Sequence, residues 1–431
     1  MNPPAAAPSA PASPRYKWWV VFMLWFVCFF NYADRQALSG VVPKLKEEFG
    51  FTNEQMGTIG SAFMWVYAGA APLAGFIGDR IRRKHLILGG CMFWSLVTML
   101  TGWCGRFWHF VGVRALEGFG ETFYFPASMS LVSDYHSPAT RSRAMSFHQS
   151  SVYAGTILGS WLGAWLAMHY GWRSGFYLFG GMGLVLAAVL YLFLREPTRG
   201  ASELTAPVAA AAPAPNLATV LGDVFRTPSA VILMAVFAGA NAVAGVFLFW
   251  TPTFLKEKFD FKLATAGLTG AVFIHLASAF SVPWGGWLAD LFSRRWAGGR
   301  MLVQMLGLAG GATFVVLVGL TQSVATLIAA MTLFGICKGI YDANIFASVY
   351  DVVHPRSRAS AAGIMNTVGW LGGAAATALT GWYADHGGYG SSVANMSHAI
   401  ALGGAVYLAG ALLLLLAGLG FARRDVRRQW D

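Results

Sequence analysis

The chain has 431 residues, of which 56% are hydrophobic and only 11% charged, with a formal net charge of +11. Soluble proteins carry about 25% charged residues, so the composition argues against a soluble domain and for a polytopic helical membrane protein. Barrel strands would alternate strictly over about ten residues, and the sequence lacks that pattern.

Residues 1–17 begin with a Pro/Ala/Ser-rich stretch and are expected to form a disordered cytoplasmic tail. Apolar runs of about 20 residues, the length that spans a bilayer, follow at 18–41, 56–78, 86–104, 107–132, 143–168 and 174–194. The run from Trp18 is too long for a signal-peptide core and has no convincing cleavage site, so it stands as the first helix. Residues 195–228 form a cytoplasmic linker, rich in Ala and Pro over 196–216. Six more runs lie at 229–251, 265–289, 300–319, 324–349, 359–381 and 397–421, ahead of a short cytoplasmic tail at 422–431. The expected fold class is therefore all-α, with 12 transmembrane helices in two bundles of six, 18–194 and 229–421.

With the N-terminus inside, cytoplasmic segments hold 20 Lys/Arg and outer loops seven, while Arg35, Arg114 and Lys338 are intramembrane. The positive-inside rule then places both termini in the cytoplasm of an inner-membrane protein. It also explains the basic balance without a nucleic-acid partner. Cys28, Cys91, Cys104 and Cys337 fall in predicted helices without metal-ligand spacing and read as small apolar core residues.

The two halves repeat a signature. The loop after the second run carries Gly75, Asp79, Arg80 and Arg83; the loop after the eighth carries Gly286, Asp290 and Arg294. Each has Gly, then Asp four residues on, then a basic cluster. Gly permits close helix contact, and Asp at a helix end can pair with a neighbouring helix. This duplicated motif on a six-plus-six plan resembles the major facilitator superfamily over about residues 18–421. The resemblance implies two pseudo-symmetric bundles around a central site that opens alternately to either side. One departure is Arg82, where the family often has Gly; a local change of loop geometry is expected.

Charges inside the runs carry the functional signal. Arg114, Glu117 and Glu121 are spaced i, i+3, i+7 in the fourth run, within about 60° of one helix face. Each charge at the bilayer centre costs at least about 2.5–3.5 kcal/mol, so the stripe must face protein or a watery cavity. Asp34 and Arg35 in the first run point about 100° apart, so one can face the cavity while the other pairs sideways. Arg presents a planar fork matched to carboxylate. A carboxylate in a partly dry cavity can hold a proton near neutral pH. Together these groups suit a proton-coupled organic-anion site; the alternative is a set of structural salt bridges, the expected role of Glu117.

The wording around these charges is similar to the anion:cation symporter branch of that superfamily: Asn31 to Arg35, then Arg114 to Glu121 followed by Phe125-Pro126-Ala127, and Trp250-Thr-Pro252. The resemblance implies anion binding by Arg35 and Arg114 and proton carriage by Glu121 and Asp34. Spinster-type lysolipid carriers share the Asp-Arg and Arg…Gly-x-Gly-Glu elements, so an amphiphile carrier is the alternative.

Lesser candidates for substrate contact are Tyr67, Gln149 (beside His148 and Ser150), Asn241 and Asn366. Lys338 and Asp342, i and i+4, read as an internal ion pair or a gating element, and His275 as a satisfied buried histidine. Gly155, Gly159 and Gly163 recur every four residues and predict a close helix crossing. The residue after Gly159 is Ser160, whereas drug/proton antiporters of the superfamily usually place Pro there. No Walker loop or zinc-ligand spacing occurs. The expectation is a monomeric, non-enzymatic symporter for a small organic anion such as a sugar acid, set in the lipid bilayer. It needs no metal or cofactor and is driven by the proton gradient. A non-transporting sensor is the third class.

Overall fold

A computed structural model describes residues 15–78, 81–197, 217–354 and 357–427; these are helical, with no strand among them. Asp79 and Arg80 of the first motif, linker residues 198–216 and the tail ends 1–14 and 428–431 lie outside the described residues. The first half contains α1 (Tyr16–Phe49), α2 (Asn53–Gly78), α3 (Arg83–Thr101), α4 (Phe107–Thr122), α5 (Tyr124–Tyr135), α6 (Pro138–His169) and α7 (Arg173–Phe193). After α8 (Leu217–Phe225), the second half contains α9 (Pro228–Phe259), α10 (Leu263–Ser293), α11 (Gly299–Leu320), α12 (Val324–Asp342), α13 (Ile345–Val352), α14 (Arg358–His386), α15 (Ser392–Leu416) and α16 (Ala422–Arg427).

Among the described residues, seven segments are long and apolar enough to cross a membrane by length and composition: α3, α7, α9, α10, α11, α12 with α13, and α15 with its continuation. The long segments outside that set are α1, α2, α4 with α5, α6 and α14. Of these, α1 and α4 carry the buried charges Asp34, Arg35, Arg114, Glu117 and Glu121.

Three elements differ from the sequence expectation. The fourth run is two helices, broken at Phe123. Pro126 has no N–H to offer the Thr122 carbonyl, and its ring crowds that carbonyl. The tenth run is broken at Ala343–Asn344. There the Asn344 amide donates to the carbonyls of Ile340 (3.2 Å) and Gly285 (3.0 Å), competing with the helical ladder. Within the expected linker, α8 carries Leu217, Val220, Leu221 and Val224 at helical spacing. Val224 is buried, and Ser357 donates to Asp223 at 2.8 Å. The second bundle also extends past 421: Asp425 on α16 is buried and accepts the Ser229 N–H at the start of α9 (3.0 Å). Cys104 lies in the loop after α3 rather than in a helix; it and Cys28, Cys91 and Cys337 are free thiols.

One apolar core joins the halves, running from Leu45, Phe51 and Phe110 to Trp250, Phe254 and Leu327. A second core, around Leu24, Cys91, Trp94 and Leu131, stays within the first half. Polar bonds crossing between halves gather at the loop end. Lys46 pairs with Glu257 at 2.6 Å. Asp385, at the end of α14, accepts the Asn53 amide (2.6 Å) and the backbone N–H of Glu54 (2.7 Å). A carboxylate from one half thus caps the N-terminus of α2 in the other, where orphan N–H groups and the helix dipole favour it. At the opposite end several pairs stay within one half: Arg83 with Asp134 and Glu196, and Arg300 with Asp290 and Asp351.

Asp385→Ala removes this cap and is expected to destabilise the joined end by about 1 kcal/mol, the usual value of a helix cap. Spin labels in the loops after α1 and α14 should report a longer separation in the variant. An unchanged distance distribution would show that the cap holds nothing shut.

Candidate functional site

The site begins with a helix crossing. Gly155 and Gly163 on α6 face Phe29 and Ala37 on α1 so closely that a Cβ would come within 2.5 Å of the Phe29 carbonyl oxygen and 2.9 Å of the Ala37 Cα. Gly159, between them, meets the backbone of Ala33. Without side chains at these positions the backbones approach closely, which fixes the stretch Asn31–Ser39 against the first half.

Asp34 and Arg35 then diverge. Asp34 turns toward α3: its Oδ1 accepts the Arg35 backbone N–H (2.7 Å) and its Oδ2 the Thr98 hydroxyl (3.3 Å). Arg35 reaches α4. Its Nε donates to Glu121 Oε2 at 3.1 Å, and a terminal guanidinium nitrogen forms an ion pair with the same oxygen. A further N–H reaches Asn31 Oδ1 at 3.3 Å. Glu121 Oε1 is buried with no hydrogen-bond partner among the described residues. One turn back on α4, Arg114 pairs with Glu117.

The guanidiniums sit among aromatic rings. Arg35 lies 4.4 Å from the Phe63 ring centroid, 4.5 Å from Tyr32, 5.3 Å from Trp370 and 5.8 Å from Tyr67. Arg114 shares the Phe63 ring at 4.9 Å. Ring faces attract cations most strongly where water is scarce. Carboxylate oxygens of Asp34, Glu117 and Glu121 lie within 4.8 Å of one another. That spacing suits a cation, and two guanidiniums already supply one for Glu121 and one for Glu117. The carboxylate without a guanidinium of its own is Asp34, whose donors among the described residues are the Arg35 backbone N–H and the Thr98 hydroxyl.

A cavity of about 240 Å³ lies between the halves. Arg35, Arg114 and Phe63 line it from the first half; Asn241, His275, Lys338 and Trp370 line it from the second. Arg35, Arg114, Asn241 and Lys338 were singled out in sequence. Tyr67 is buried behind this wall, its ring 4.5 Å from that of Trp370. Asn241 also donates to the Phe237 carbonyl at 2.9 Å.

Gln149 and Asn366 fall outside the lining. Gln149 is exposed one turn beyond Val152, and Asn366 lies one turn before Trp370. His148 is buried against Tyr124, at 2.8 Å from its hydroxyl. His275, expected to be satisfied, leaves its buried Nδ1 without a partner among the described residues. Lys338 pairs with Asp342.

The loop motifs resolve as clamps. Arg83 is buried rather than spread on the inner surface, tying α3 to Asp134 on α5 and to Glu196 beyond α7. Asp290 takes Arg300 of α11 at 2.9 Å. Arg294 caps the end of α10, Gly75 lies in the last turns of α2, and Gly286 has open space beside it. Sequence reasoning missed Phe63, Trp370 and Thr98. Tyr32 had a signal, its i, i+3 spacing to Arg35; the other three come from distant helices and had none.

Comparison with known proteins follows this geometry. The family model described as Major Facilitator Superfamily matches residues 24–377 and 261–430. Human protein spinster homolog 1 is 32% identical over 246 residues, covering 56% of this chain and 46% of the human protein. The match thus spans about half the length of the spinster relatives. A probable anion transporter 1, chloroplastic, from Oryza sativa subsp. japonica is 26% identical over 386 residues, covering 86% of this chain and 72% of that protein. The crystal structure of a bacterial homolog to the human lysosomal transporter Spinster, inward-facing and unoccupied, superposes with a TM-score of 0.83 at 20% identity. It covers 97% of this chain and 100% of that one. That likeness is one of fold.

Removing one partner of a buried ion pair costs about 3–5 kcal/mol, because the other charge is stranded. Arg35→Met should therefore lower the thermal unfolding midpoint more than the double variant Arg35→Met/Glu121→Gln, which leaves no stranded charge. A double variant less stable than the single one would contradict the pairing.

Proposed function

This chain belongs to the Major Facilitator Superfamily, and from that premise we propose that it is a proton-coupled symporter of a small organic anion working by alternating access. The coarser part stands on the comparisons: it is a multi-pass membrane protein whose family and fold are those of transporters, not enzymes. The finer part rests on one observation. Arg35, at the cavity wall, places two donors on a single oxygen of Glu121.

A substrate carboxylate entering the cavity would take that fork bidentately, the geometry a guanidinium favours. Glu121, displaced, would accept a proton in place of its cation. Arg114 would stand by as the second anion contact, with its own carboxylate, Glu117, as structural support. Asp34, which lacks a cationic partner, is the second proton site. Neutralising these carboxylates loosens α1 from α4 and lets the cross-half bonds at Lys46 and Asp385 part. The basic loops put both termini in the cytoplasm of an inner membrane, and the joined loop end then faces outward. One chain supplies both walls of the cavity, so a monomer suffices, and the proton gradient replaces any cofactor.

One observation favours a second reading. An apolar cleft of about 270 Å³ lies among α9, α14 and α15, and Phe247 lines both it and the cavity. A hydrocarbon tail would fit there. The relatives named spinster and anion transporter match the two readings respectively.

Thermal-shift titration of the purified protein with organic acids and lysolipids, at acidic and neutral pH, separates them. The expected result is stabilisation by a carboxylate, weakened about tenfold to a hundredfold by Arg35→Ala, since hydrogen bonds to a charged group are worth about 1.5–3 kcal/mol. In proteoliposomes, Glu121→Gln should abolish uptake driven by a pH gradient. Unchanged proton-driven uptake in Glu121→Gln would sink the symport reading, and a lysolipid response indifferent to Arg35 would favour the amphiphile.

A further inference from the structure

The second half of the molecule carries a cation of its own on the cavity wall. We propose that Lys338 is a further anion contact, so that the transported molecule bears two separated anionic groups, one held by Arg35 and one by Lys338. The inference rests on Arg35 being the first anion contact, as argued above.

Three observations carry it. The first is placement in the repeat. α12 occupies in the second half the place that α4 occupies in the first, and both helices break just after a carboxylate. Glu121 stands two residues before Phe123, and Asp342 stands next to Ala343. Each of these carboxylates holds a cavity cation: Glu121 holds Arg35, and Asp342 holds Lys338. Each half thus sets a cavity cation against a carboxylate at a helix break, between α1 and α4 in the first half and within α12 in the second.

The second is access. The Lys338 side chain is 19% exposed, against 8% for Arg35, and it lines the same cavity. An ammonium has three donors, and Asp342 accounts for one. An i, i+4 ion pair alone adds little stability, while desolvating an ammonium takes more than such a pair returns. As a purely structural device the pair is a poor bargain.

The third is His275. It lines the same wall from α10, its ring 5.8 Å from that of Tyr153 on α6, and its buried Nδ1 has no hydrogen-bond partner among the described residues. Buried polar atoms are ordinarily satisfied, and an exception calls for a ligand or a water. An imidazole and an ammonium on one wall, near Asn241, Phe247 and Ile274, suit a single oxyanion.

The test measures binding to the purified full chain with α,ω-dicarboxylates from succinate to suberate, each against the monocarboxylate of equal length. In the wild type one dicarboxylate should bind about tenfold or more tightly than its monocarboxylate, the margin of one additional charge-assisted contact. Lys338→Gln should erase that margin and leave the monocarboxylate within about twofold, while Lys338→Arg keeps it. Asp342→Asn, which removes the competing carboxylate, should tighten the dicarboxylate and leave the monocarboxylate alone. A merely structural pair predicts the reverse, a loss of stability with no gain in affinity.

The inference is overturned if monocarboxylates bind through Arg35 and no dicarboxylate surpasses them. Equal weakening of both classes by Lys338→Gln also overturns it, provided the variant unfolds at the wild-type temperature; if it does not, the Asp342→Asn result decides. Binding of neither class overturns the anion reading itself, and this inference with it.

Discussion

The Arg35–Glu121 pair is the constraint on which the rest depends. Neither group can meet hydrocarbon, and neither can be buried without the other. The pair therefore ties α1 to α4 through side chains alone, while α4 itself packs on α2 and α3, and the glycines of α6 let α1 pack closely on that helix. With α1 fixed on α6, Asp34 reaches α3 and the four aromatic rings close around the Arg35 guanidinium. A polar centre of this kind also explains why α1 and α4 carry buried charges that a lipid-facing helix would not.

Much of this was legible in the chain because it is periodic. The i, i+3, i+7 spacing of Arg114, Glu117 and Glu121 forces one face, and four-residue glycine spacing forces a close crossing. Pairing was not legible. Sequence spacing places Glu117 and Glu121 on the same stripe, and only the packing of α1 decides that Arg35 takes Glu121 while Arg114 takes Glu117. Trp370 reaches Arg35 across the divide between halves, 335 residues away, and no local pattern announces it. Gln149 and Asn366, singled out for their polarity, lie a turn away from the lining of this cavity: polarity in an apolar run does not by itself fix the level at which a side chain sits.

Helix interruptions were the other gap. Pro126 and Asn344 each act on a carbonyl four residues earlier, so a window that sums hydropathy passes over them. Yet the breaks matter, since each lies just beyond a charged pair on the central face. α8 was hidden for a different reason: it follows a Pro/Ala-rich stretch, and its nine residues show amphipathicity too briefly to stand out.

The halves are joined by a few directional bonds at one end and by packing of α2 on α14 and of α6 on α10. Such a hinge can be undone without unfolding either half. Phe247 adds something separate. It stacks on Phe334 at 4.8 Å, with the charged cavity on one side and the apolar cleft on the other. One benzene ring is thus a dielectric boundary. Coulomb attraction scales inversely with the local dielectric constant, so an apolar ring shared by the cavity and the cleft excludes water on that side of the cavity that Lys338 and Arg35 line.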